Sequence, residues 1–313
     1  MSLTCGIDVG GTKIAGGVVD HDGTVLEKLR VQSPATDVEA MEDAIAGLVL
    51  ELAGRHEIVA VGVGAAGYID RDRARVLLAP NLAWRDIDLK RELEERVHRP
   101  VVVENDANAA AWGEFRFGAG EDVDDLLLVT VGTGVGGGLV LDGDVHRGAF
   151  GVAAEIGHLR VVPDGLPCGC GRRGCLEQYA SGTALDRRAR EAVRAGDPAA
   201  AALLERAGGE VEAIEGPMIT DAAREGDPFA LAQLAELGHW LGAGIASLAA
   251  VLDPAVVAVG GGVADAEELL LDPVRRSFVE HLPGREHRPL AEIRKATLGN
   301  TAGLVGAADL ARR

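Results

Sequence analysis

The sequence predicts a two-lobed α/β fold in which two duplicated α/β domains enclose a cleft. Three observations predict it: a repeated strand–turn–strand unit, strands that alternate with helices, and a length of 313 residues, which favours two domains. One unit carries the turn Gly10–Thr12 and the other carries the turn Gly132–Gly134. Aligning the two turns also aligns Val19 with Leu141, so the repeat extends beyond the glycines.

Strands and helices alternate through the first part of the chain. Asp37 precedes apolar residues spaced as on one face of a helix, and that helix is predicted to end near Gly54. Three strands joined by short polar turns are predicted first, and Ile58–Ala65 and Val101–Glu104 are predicted to be buried strands. The predicted strands are Leu3–Val9, Ile14–Val19, Val25–Val31, Ile58–Ala65 and Val101–Glu104, and two further helices are predicted over Leu89–His98 and Ala107–Phe117.

The second part begins with another strand pair and continues into a long region of helices. A glycine-, cysteine- and arginine-rich stretch from Gly143 to Gly174 is predicted to be a functional loop. A helix near the middle of the chain joins the repeats, so the predicted domains are 1–108 plus 300–313 and 109–299. The predicted elements are strands Leu126–Val131, Gly136–Leu141, Ala255–Val259 and Ile293–Thr297, helices within Ser181–Leu252, and a final helix Thr301–Arg313.

The composition excludes several classes of protein. A net charge of −18 argues against a nucleic-acid partner, because contacts with phosphates require clustered Lys and Arg. The chain has no uninterrupted apolar run of about 18 residues, so no membrane-spanning helix is predicted. The first residues lead directly into a strand without a basic leader, and we therefore expect a cytoplasmic protein.

The two glycine turns are candidate phosphate-binding sites. Turns without side chains expose backbone N–H groups that can cradle an anion, and two of them on duplicated strand pairs indicate a nucleotide-dependent phosphotransferase. Asp8 could orient a water bound to Mg²⁺ beside the phosphates. The alternative is an ordinary hairpin turn whose glycines only supply positive φ, or, for the later Gly-Gly-Gly segment, a plain strand-to-helix turn. The candidate nucleotide-binding residues are Asp8, Gly10, Gly11, Thr12, Lys13, Gly132, Thr133, Gly134, Gly261 and Gly262.

Asp106 is the candidate catalytic base. It follows the strand Val101–Glu104, and ligands of α/β sheets bind beyond the carboxyl ends of strands. Phosphoryl transfer to a hydroxyl needs one carboxylate that takes the hydroxyl proton. The alternative is that Asp106 or Asn105 is simply the N-cap of the following helix.

Three clustered cysteines and one histidine predict a metal site. Cys168, Cys170 and Cys175 lie on one glycine-rich loop, and His158 precedes them by ten residues. Three Cys and one His complete a closed tetrahedral Zn²⁺ site, which organises structure and activates no water. The alternative is three free thiols and a surface histidine. Cys5 stands apart in the first strand, where a buried inert thiol is expected.

Two glutamates near this cluster suggest a polyol site. Glu155 and Glu177 can each accept a hydrogen bond from a sugar hydroxyl, and the second ring nitrogen of His158 can bond another. For each glutamate, the alternative is a solvent-facing position.

Together these motifs resemble the ROK family of sugar kinases and repressors, and within it the chain is most similar to the bacterial glucokinases of actinobacterial type. The resemblance covers essentially the whole chain and implies the two-lobed actin-like ATPase fold, which is ribonuclease H-like. The motifs that carry it are Asp8–Lys13 (DVGGTK), Glu104–Asn108 (ENDAN), Val131–Gly137 (VGTGVGG), Glu155–His158 (EIGH), Cys168–Glu177 (CGCGRRGCLE) and Val259–Gly262 (VGGG).

The resemblance implies phosphorylation of the 6-hydroxyl of D-glucose by ATP with Mg²⁺. It makes Asp106 the general base and implies a structural Zn²⁺ and a homodimer or homotetramer. Polyphosphate as the donor and a regulatory protein partner stay open. The residues it implies for the sugar are Gly67, Asn105, Asp106, Glu155, His158 and Glu177, and those for zinc are His158, Cys168, Cys170 and Cys175.

Two other functions fit parts of this pattern. A ROK kinase for mannose, fructose or an N-acetylhexosamine would keep the chemistry and change one or two hydroxyl contacts. A non-catalytic sugar-sensing regulator would have a defective Asp106 or a DNA-binding element before the first strand. Asp106 is intact, and the first strand begins at Leu3.

Overall fold

The computed structural model of the protein describes residues 2–313 and divides into two compact units. The first unit comprises Met1–Leu128, Gly137–Ala154 and Ala296–Arg313, and the second comprises Val129–Gly136 and Glu155–Lys295. These units differ from the predicted domain ranges, because 109–128 and 137–154 pack with the first unit. The predicted domains themselves stay a prediction.

The strands form where the apolar runs are. All strands predicted from the sequence are present, and their ends agree with the prediction to within two residues. The strands are β1 (Leu3–Val9), β2 (Lys13–Val19), β3 (Val25–Gln32), β4 (Ile58–Ala65), β5 (Tyr68–Ile69), β6 (Val76–Leu78), β7 (Arg85–Ile87), β8 (Val101–Asn105), β9 (Leu126–Val131), β10 (Val135–Leu141), β11 (Asp144–Val145), β12 (Val256–Gly260) and β13 (Glu292–Lys295).

Two five-stranded sheets share one strand order. The first runs β3-β2-β1-β4-β8 and the second runs β11-β10-β9-β12-β13. In the first sheet β1 pairs with β2 antiparallel and with β4 parallel, and β4 pairs with β8 parallel. In the second sheet β10 and β11 are antiparallel and β12 and β13 are parallel. The equal strand orders are what a duplicated unit predicts. A small sheet of β5, β6 and β7 was not predicted.

Several helices begin at aspartates whose side chains cap them. The side chain of Asp37 accepts a hydrogen bond of 3.1 Å from the N–H of Ala40, as predicted, and Asp88 and Asp227 cap later helices in the same way. The helices are α1 (Val38–Ala53), α2 (Leu89–Val97), α3 (Asp106–Phe117), α4 (Glu177–Ala180), α5 (Gly182–Arg194), α6 (Ala201–Arg206), α7 (Gly216–Arg224), α8 (Pro228–Leu252), α9 (Glu268–His281) and α10 (Ala302–Leu310).

The C-terminal helix α10 lies against the first sheet and against α3 at unusually short range. A Cβ at Gly62 of β4 would lie 1.7 Å from the carbonyl oxygen of Ala307, and a Cβ at Gly306 would lie 1.7 Å from that of Ala109. Only glycine permits such close backbone approach. The contact with α10 fixes α3, and therefore Asp106 at its start, on the sheet.

One helix of the described residues, α8, is long and apolar enough to cross a membrane by length and composition. Half of its most apolar window is buried, and Gly238 and Gly242 let it pack closely against Pro273 and Val274 of α9. Core helices pass the same test of length and composition, and the packing against α9 is that of a core helix.

Candidate functional site

Asn105 and Asp106 lie where β8 ends and α3 begins. The side-chain oxygen of Asn105 accepts a hydrogen bond of 3.0 Å from the N–H of Asn108, so Asn105 is the N-cap of α3. Its amide nitrogen donates to the carbonyl of Gly67 at 3.0 Å and to Oδ1 of Asp106 at 3.2 Å. The capping alternative therefore holds for Asn105 and not for Asp106. This geometry brings three predicted sugar residues together.

The carboxyls of Asp8 and Asp106 both have raised pKa values. Burial is the main cause that raises the pKa of Asp8 to about 6, and the negative charge of Asp106 is the second cause. The positive charge of Lys28 acts in the opposite direction. Burial also raises the pKa of Asp106, while hydrogen bonds from backbone amides act in the opposite direction. A carboxylate with a raised pKa is a stronger proton acceptor, as a general base near neutral pH requires.

The first glycine turn is open to solvent. The N–H of Gly10 donates to the carbonyl of Lys13 at 3.0 Å, and Gly11, Thr12 and Lys13 are exposed. A Cβ at Gly11 would meet only Asn81, at 3.7 Å. Neither Gly10 nor Gly11 has positive φ. The interpretation that these glycines only supply positive φ is therefore wrong. The N–H of Gly10 closes the turn, and the lack of a side chain at Gly11 leaves that exposed part of the turn uncovered.

The second glycine turn is hydrogen-bonded to the start of helix α5. The carbonyl of Gly132 accepts from the N–H of Gly182 at 2.7 Å, and the carbonyl of Thr133 accepts from Oγ1 of Thr183 at 2.7 Å. Gly132 and Gly134 also lack positive φ. The start of α5 therefore fixes the position of this turn.

Glu177 lies directly over Gly134. Its Oε2 accepts from the N–H of Val135 at 3.2 Å, and a Cβ at Gly134 would approach the same oxygen to 2.4 Å. Glu177 is partly buried, so the solvent-facing alternative is wrong for this residue. A predicted sugar residue and a predicted phosphate turn are thus in direct contact within the second unit.

A cavity of about 930 Å³ opens beside the second turn, within the second unit. Three predicted nucleotide residues, Gly132, Thr133 and Gly262, line it, while Gly261 lies behind them against the carbonyl of Val131. Sequence reasoning missed the rest of the lining, because no recognisable motif marks it. The unpredicted lining residues include Gly182, Thr183, Leu185, Asp186, Gly216, Pro217, Thr220, Val263 and Lys295.

The predicted metal ligands converge. The ligand atoms of His158, Cys168, Cys170 and Cys175 all lie within 4.8 Å of one another. Nδ1 of His158 is 3.8 Å from Sγ of Cys168, and Sγ of Cys170 is 3.7 Å from Sγ of Cys175. Tetrahedral Zn²⁺ with its usual bond lengths separates such ligands by about 3.4–3.8 Å. The donor set therefore fits zinc in both chemistry and spacing.

Glu155 and His158 flank one short turn. Residues Ile156–His158 form a 3₁₀ turn in which the carbonyl of Glu155 accepts from the N–H of His158 at 3.1 Å. The glycine between them packs on β10, since a Cβ at Gly157 would lie 2.1 Å from the carbonyl oxygen of Val135. Nδ1 of His158 faces the thiols, which leaves Nε2 for a second partner.

Comparisons with known proteins agree with this geometry. The model described as the ROK family matches residues 4–313. The glucokinase of Streptomyces coelicolor is 53% identical over 312 residues, which cover 100% of this chain and 98% of that protein. The crystal structure of a ROK family glucokinase from Streptomyces griseus in complex with glucose and AMPPNP has a TM-score of 0.89 and 56% identity, covering 99% of both chains. A ROK hexokinase from Thermus thermophilus has a TM-score of 0.80 and 36% identity, covering 99% of this chain and 98% of that one.

Proposed function

Because this chain belongs to the ROK family, we propose that it transfers the γ-phosphoryl group of ATP to the 6-hydroxyl of D-glucose, forming glucose 6-phosphate and ADP. The relatives from Streptomyces are glucokinases, and one of them binds glucose and AMPPNP. The observation that carries the proposal is the position of Asp106, at the end of β8 with its carboxyl bonded to the Asn105 amide.

Asp106 acts as the general base. Its carboxylate accepts the proton of the 6-hydroxyl while that oxygen attacks the γ-phosphorus and the bond to the ADP oxygen breaks. Asn105 holds the base and, with the backbone at Gly67, contacts the sugar. Glu155, His158 and Glu177 accept or donate hydrogen bonds to the remaining hydroxyls. Matching each hydroxyl with a fixed partner aligns the 6-hydroxyl for attack.

The two turns receive the nucleotide. Amides of Gly11 and Thr12, with the Lys13 side chain, contact phosphate oxygens, as do amides of Thr133 and Gly134. Gly10 and Gly132 close the two turns through their own N–H groups and leave room for the phosphates because they lack side chains. The cavity beside the second turn takes the nucleoside, with Gly261 and Gly262 at its edge. Mg²⁺ neutralises phosphate charge when bound, and Asp8 orients its water.

A structural Zn²⁺ would be held by His158, Cys168, Cys170 and Cys175. The convergence of their ligand atoms supports this proposal. The ion would fix the 3₁₀ turn of His158 to the loop that leads to Glu177. Cys170→Ala should release zinc and raise the KM for sugar, whereas Cys5→Ala, a change of a buried thiol in β1, should keep zinc. Elemental analysis showing no zinc in the purified wild type would reject the site.

The surroundings of the enzyme are proposed from the chain's chemistry. We place it in the cytoplasm, where a zinc-bound trio of thiols stays reduced, and expect a homodimer or homotetramer without nucleic-acid or membrane partners. Any regulatory protein would dock on this assembly. Light scattering combined with gel filtration measures the oligomeric state.

A coupled ADP-release assay tests the proposed function. The enzyme is offered glucose, mannose, fructose, N-acetylglucosamine and N-acetylmannosamine, with ATP as donor. Polyphosphate is tested as the alternative donor by detecting glucose 6-phosphate directly. We expect the highest kcat/KM for glucose with ATP. A higher value for another hexose, or no product with glucose, would contradict the proposal.

A further inference from the structure

A buried glutamate precedes the candidate base. Glu104, at the end of β8, is 2% exposed, and all four of its polar contacts come from the first unit. Nε and Nη2 of Arg147 each lie 2.7 Å from Oε2. Oε1 accepts from the N–H of Asn105 at 3.1 Å and from the side-chain amide of Asn108 at 3.1 Å. Both carboxylate oxygens are therefore engaged.

Arg147 contacts this carboxylate directly, and the charge of Arg73 also acts on Glu104 without a direct ion pair among those found in the described residues. Arg147 lies after β11, and its side chain is 15% exposed. Its own backbone is tied into the same loop, because its carbonyl accepts from the N–H of Ala153 at 3.2 Å. A buried carboxylate without its cation is unstable, and its neighbours must then move or admit water.

The contacts continue from Glu104 to Asp106. Glu104 holds the backbone of Asn105 and the side chain of Asn108. Asn105 in turn caps Asn108 and donates to Oδ1 of Asp106. Each step is a direct hydrogen bond, so a displacement of Glu104 is transmitted to the carboxylate of Asp106. Displacements of about 1 Å at a reacting group can cost about a hundredfold in rate.

We propose that Arg147 is a positioning residue for phosphoryl transfer, which holds Glu104 so that Asn105 and Asp106 keep their orientation toward the sugar. Arg147 contacts no reacting atom. The inference rests on the proposed function, in which Asp106 takes the proton of the hydroxyl. No motif marked Arg147 in the sequence, because its partner lies 43 residues earlier in the chain.

The test compares four variants below their melting temperatures. Arg147→Met should lower kcat by about tenfold or more and leave the KM for ATP within about twofold, because only the sugar-side geometry changes. Arg147→Lys keeps the charge and should recover part of kcat. Arg147→Met combined with Glu104→Gln should be faster than Arg147→Met alone, since Gln stays hydrogen-bonded without a buried charge. Arg75→Met, which removes an exposed ion pair with Asp86, is the control and should match the wild type.

The outcomes separate a positioning role from a structural one. Circular dichroism gives the folded fraction of each variant. If Arg147→Met does not fold, the comparison of Arg147→Lys and the double variant with the wild type tests the inference instead. Wild-type kcat in folded Arg147→Met, or equal losses in that variant and the double variant, would overturn the inference. A loss confined to melting temperature would also overturn it. A wild type that phosphorylates no hexose would instead reject the proposed function.

Discussion

The two glycine turns have the same place in their sheets but different surroundings. Each joins the first two strands of a five-stranded sheet, and the strand orders are the same. The first turn is exposed, and a Cβ at Gly11 would find only ordinary contact with Asn81. The second turn is bonded to the start of α5 and covered by Glu177. The strand order is the same in both sheets, and the neighbouring elements α5 and Glu177 of α4 determine what the second turn contacts.

The two turns also differ in the residue that lies two positions before their first glycine. Asp8 precedes Gly10 in the first unit, and Thr130 holds the equivalent place before Gly132 in the second. The first turn therefore follows a carboxylate two positions earlier in the chain, and the second turn lies beside the cavity of about 930 Å³. Under the proposed function, the residues for Mg²⁺ and the general base belong to the first unit, and those for the nucleoside belong to the second.

The largest expected difference between the turns comes from adding one methyl group to each. Gly134→Ala should displace the Glu177 carboxylate, because the new Cβ would lie 2.4 Å from Oε2. If Glu177 binds sugar, the KM for glucose should rise about 10- to 100-fold, the usual cost of a lost charged hydrogen bond. Gly11→Ala is the matched control for glucose and should leave that KM near the wild-type value. Steady-state kinetics measure both.

The result for Gly134→Ala can also separate sugar binding from folding. Since the displaced atom ends a flexible side chain, the melting temperature should fall by only a few degrees. An unchanged KM for glucose in Gly134→Ala would remove Glu177 from the sugar site. Equal effects of the two substitutions would remove the contrast between the turns.

Asp8 gives the next largest effect, and it depends on pH. Because its folded pKa is about 6, above the unfolded value of 3.8, the folded state binds the proton more tightly. The stability from protonated Asp8 is fully present below about pH 3.8 and is lost as the pH rises through about 6. Asp8→Asn should therefore stabilise the protein at pH 8 by up to about 3 kcal/mol, while turnover falls.

Urea unfolding at pH 4.5 and pH 8 measures this effect. The stability difference between Asp8→Asn and the wild type should shrink at the lower pH, where Asp8 of the wild type is protonated. A stability difference that is independent of pH would show that the pKa of Asp8 is not raised in the folded protein. Thr130→Val, at the equivalent place of the second unit, is the control and should show no such dependence on pH.

The smallest effect concerns the hydrogen bond that fixes the second turn. Thr183→Val removes the 2.7 Å bond to the carbonyl of Thr133 and should cost about 1 kcal/mol. Thr12→Val in the first turn changes an exposed side chain and should stay within about 0.5 kcal/mol of the wild type. Equal costs in urea unfolding would contradict the difference in surroundings.

Much of the fold could be predicted from the sequence because the central strands of both sheets, such as β4 and β12, are buried apolar runs. The ROK resemblance and the two-lobed actin-like ATPase fold are confirmed by the family match and the Streptomyces griseus structure. The small sheet of β5–β7 was missed, since its strands have two or three residues each and show no alternation. Helix α9 was also missed, and Pro273 lies inside it.

The candidate site was predictable where a motif marks it and not elsewhere. Glycines, a carboxylate after a strand and clustered thiols each carry local patterns. The pair of Glu104 with Arg147 and the cavity residue Asp186 depend on contacts between distant segments. Such contacts produce no characteristic spacing of residues in the sequence. They become visible only in the structure, where the folded sheets bring the segments around β8 and β11 together and position α5.

Asp106→Asn tests the central claim most directly, that one carboxylate at the end of β8 drives phosphoryl transfer to a hexose. Calorimetry with glucose and the ADP-release assay are applied to the same preparation. Asparagine keeps the size and hydrogen bonding of the side chain, so glucose affinity should stay within a few-fold. The account predicts that kcat falls by about a hundredfold or more, the scale of a positioned base. Turnover near the wild-type value with glucose bound would contradict it.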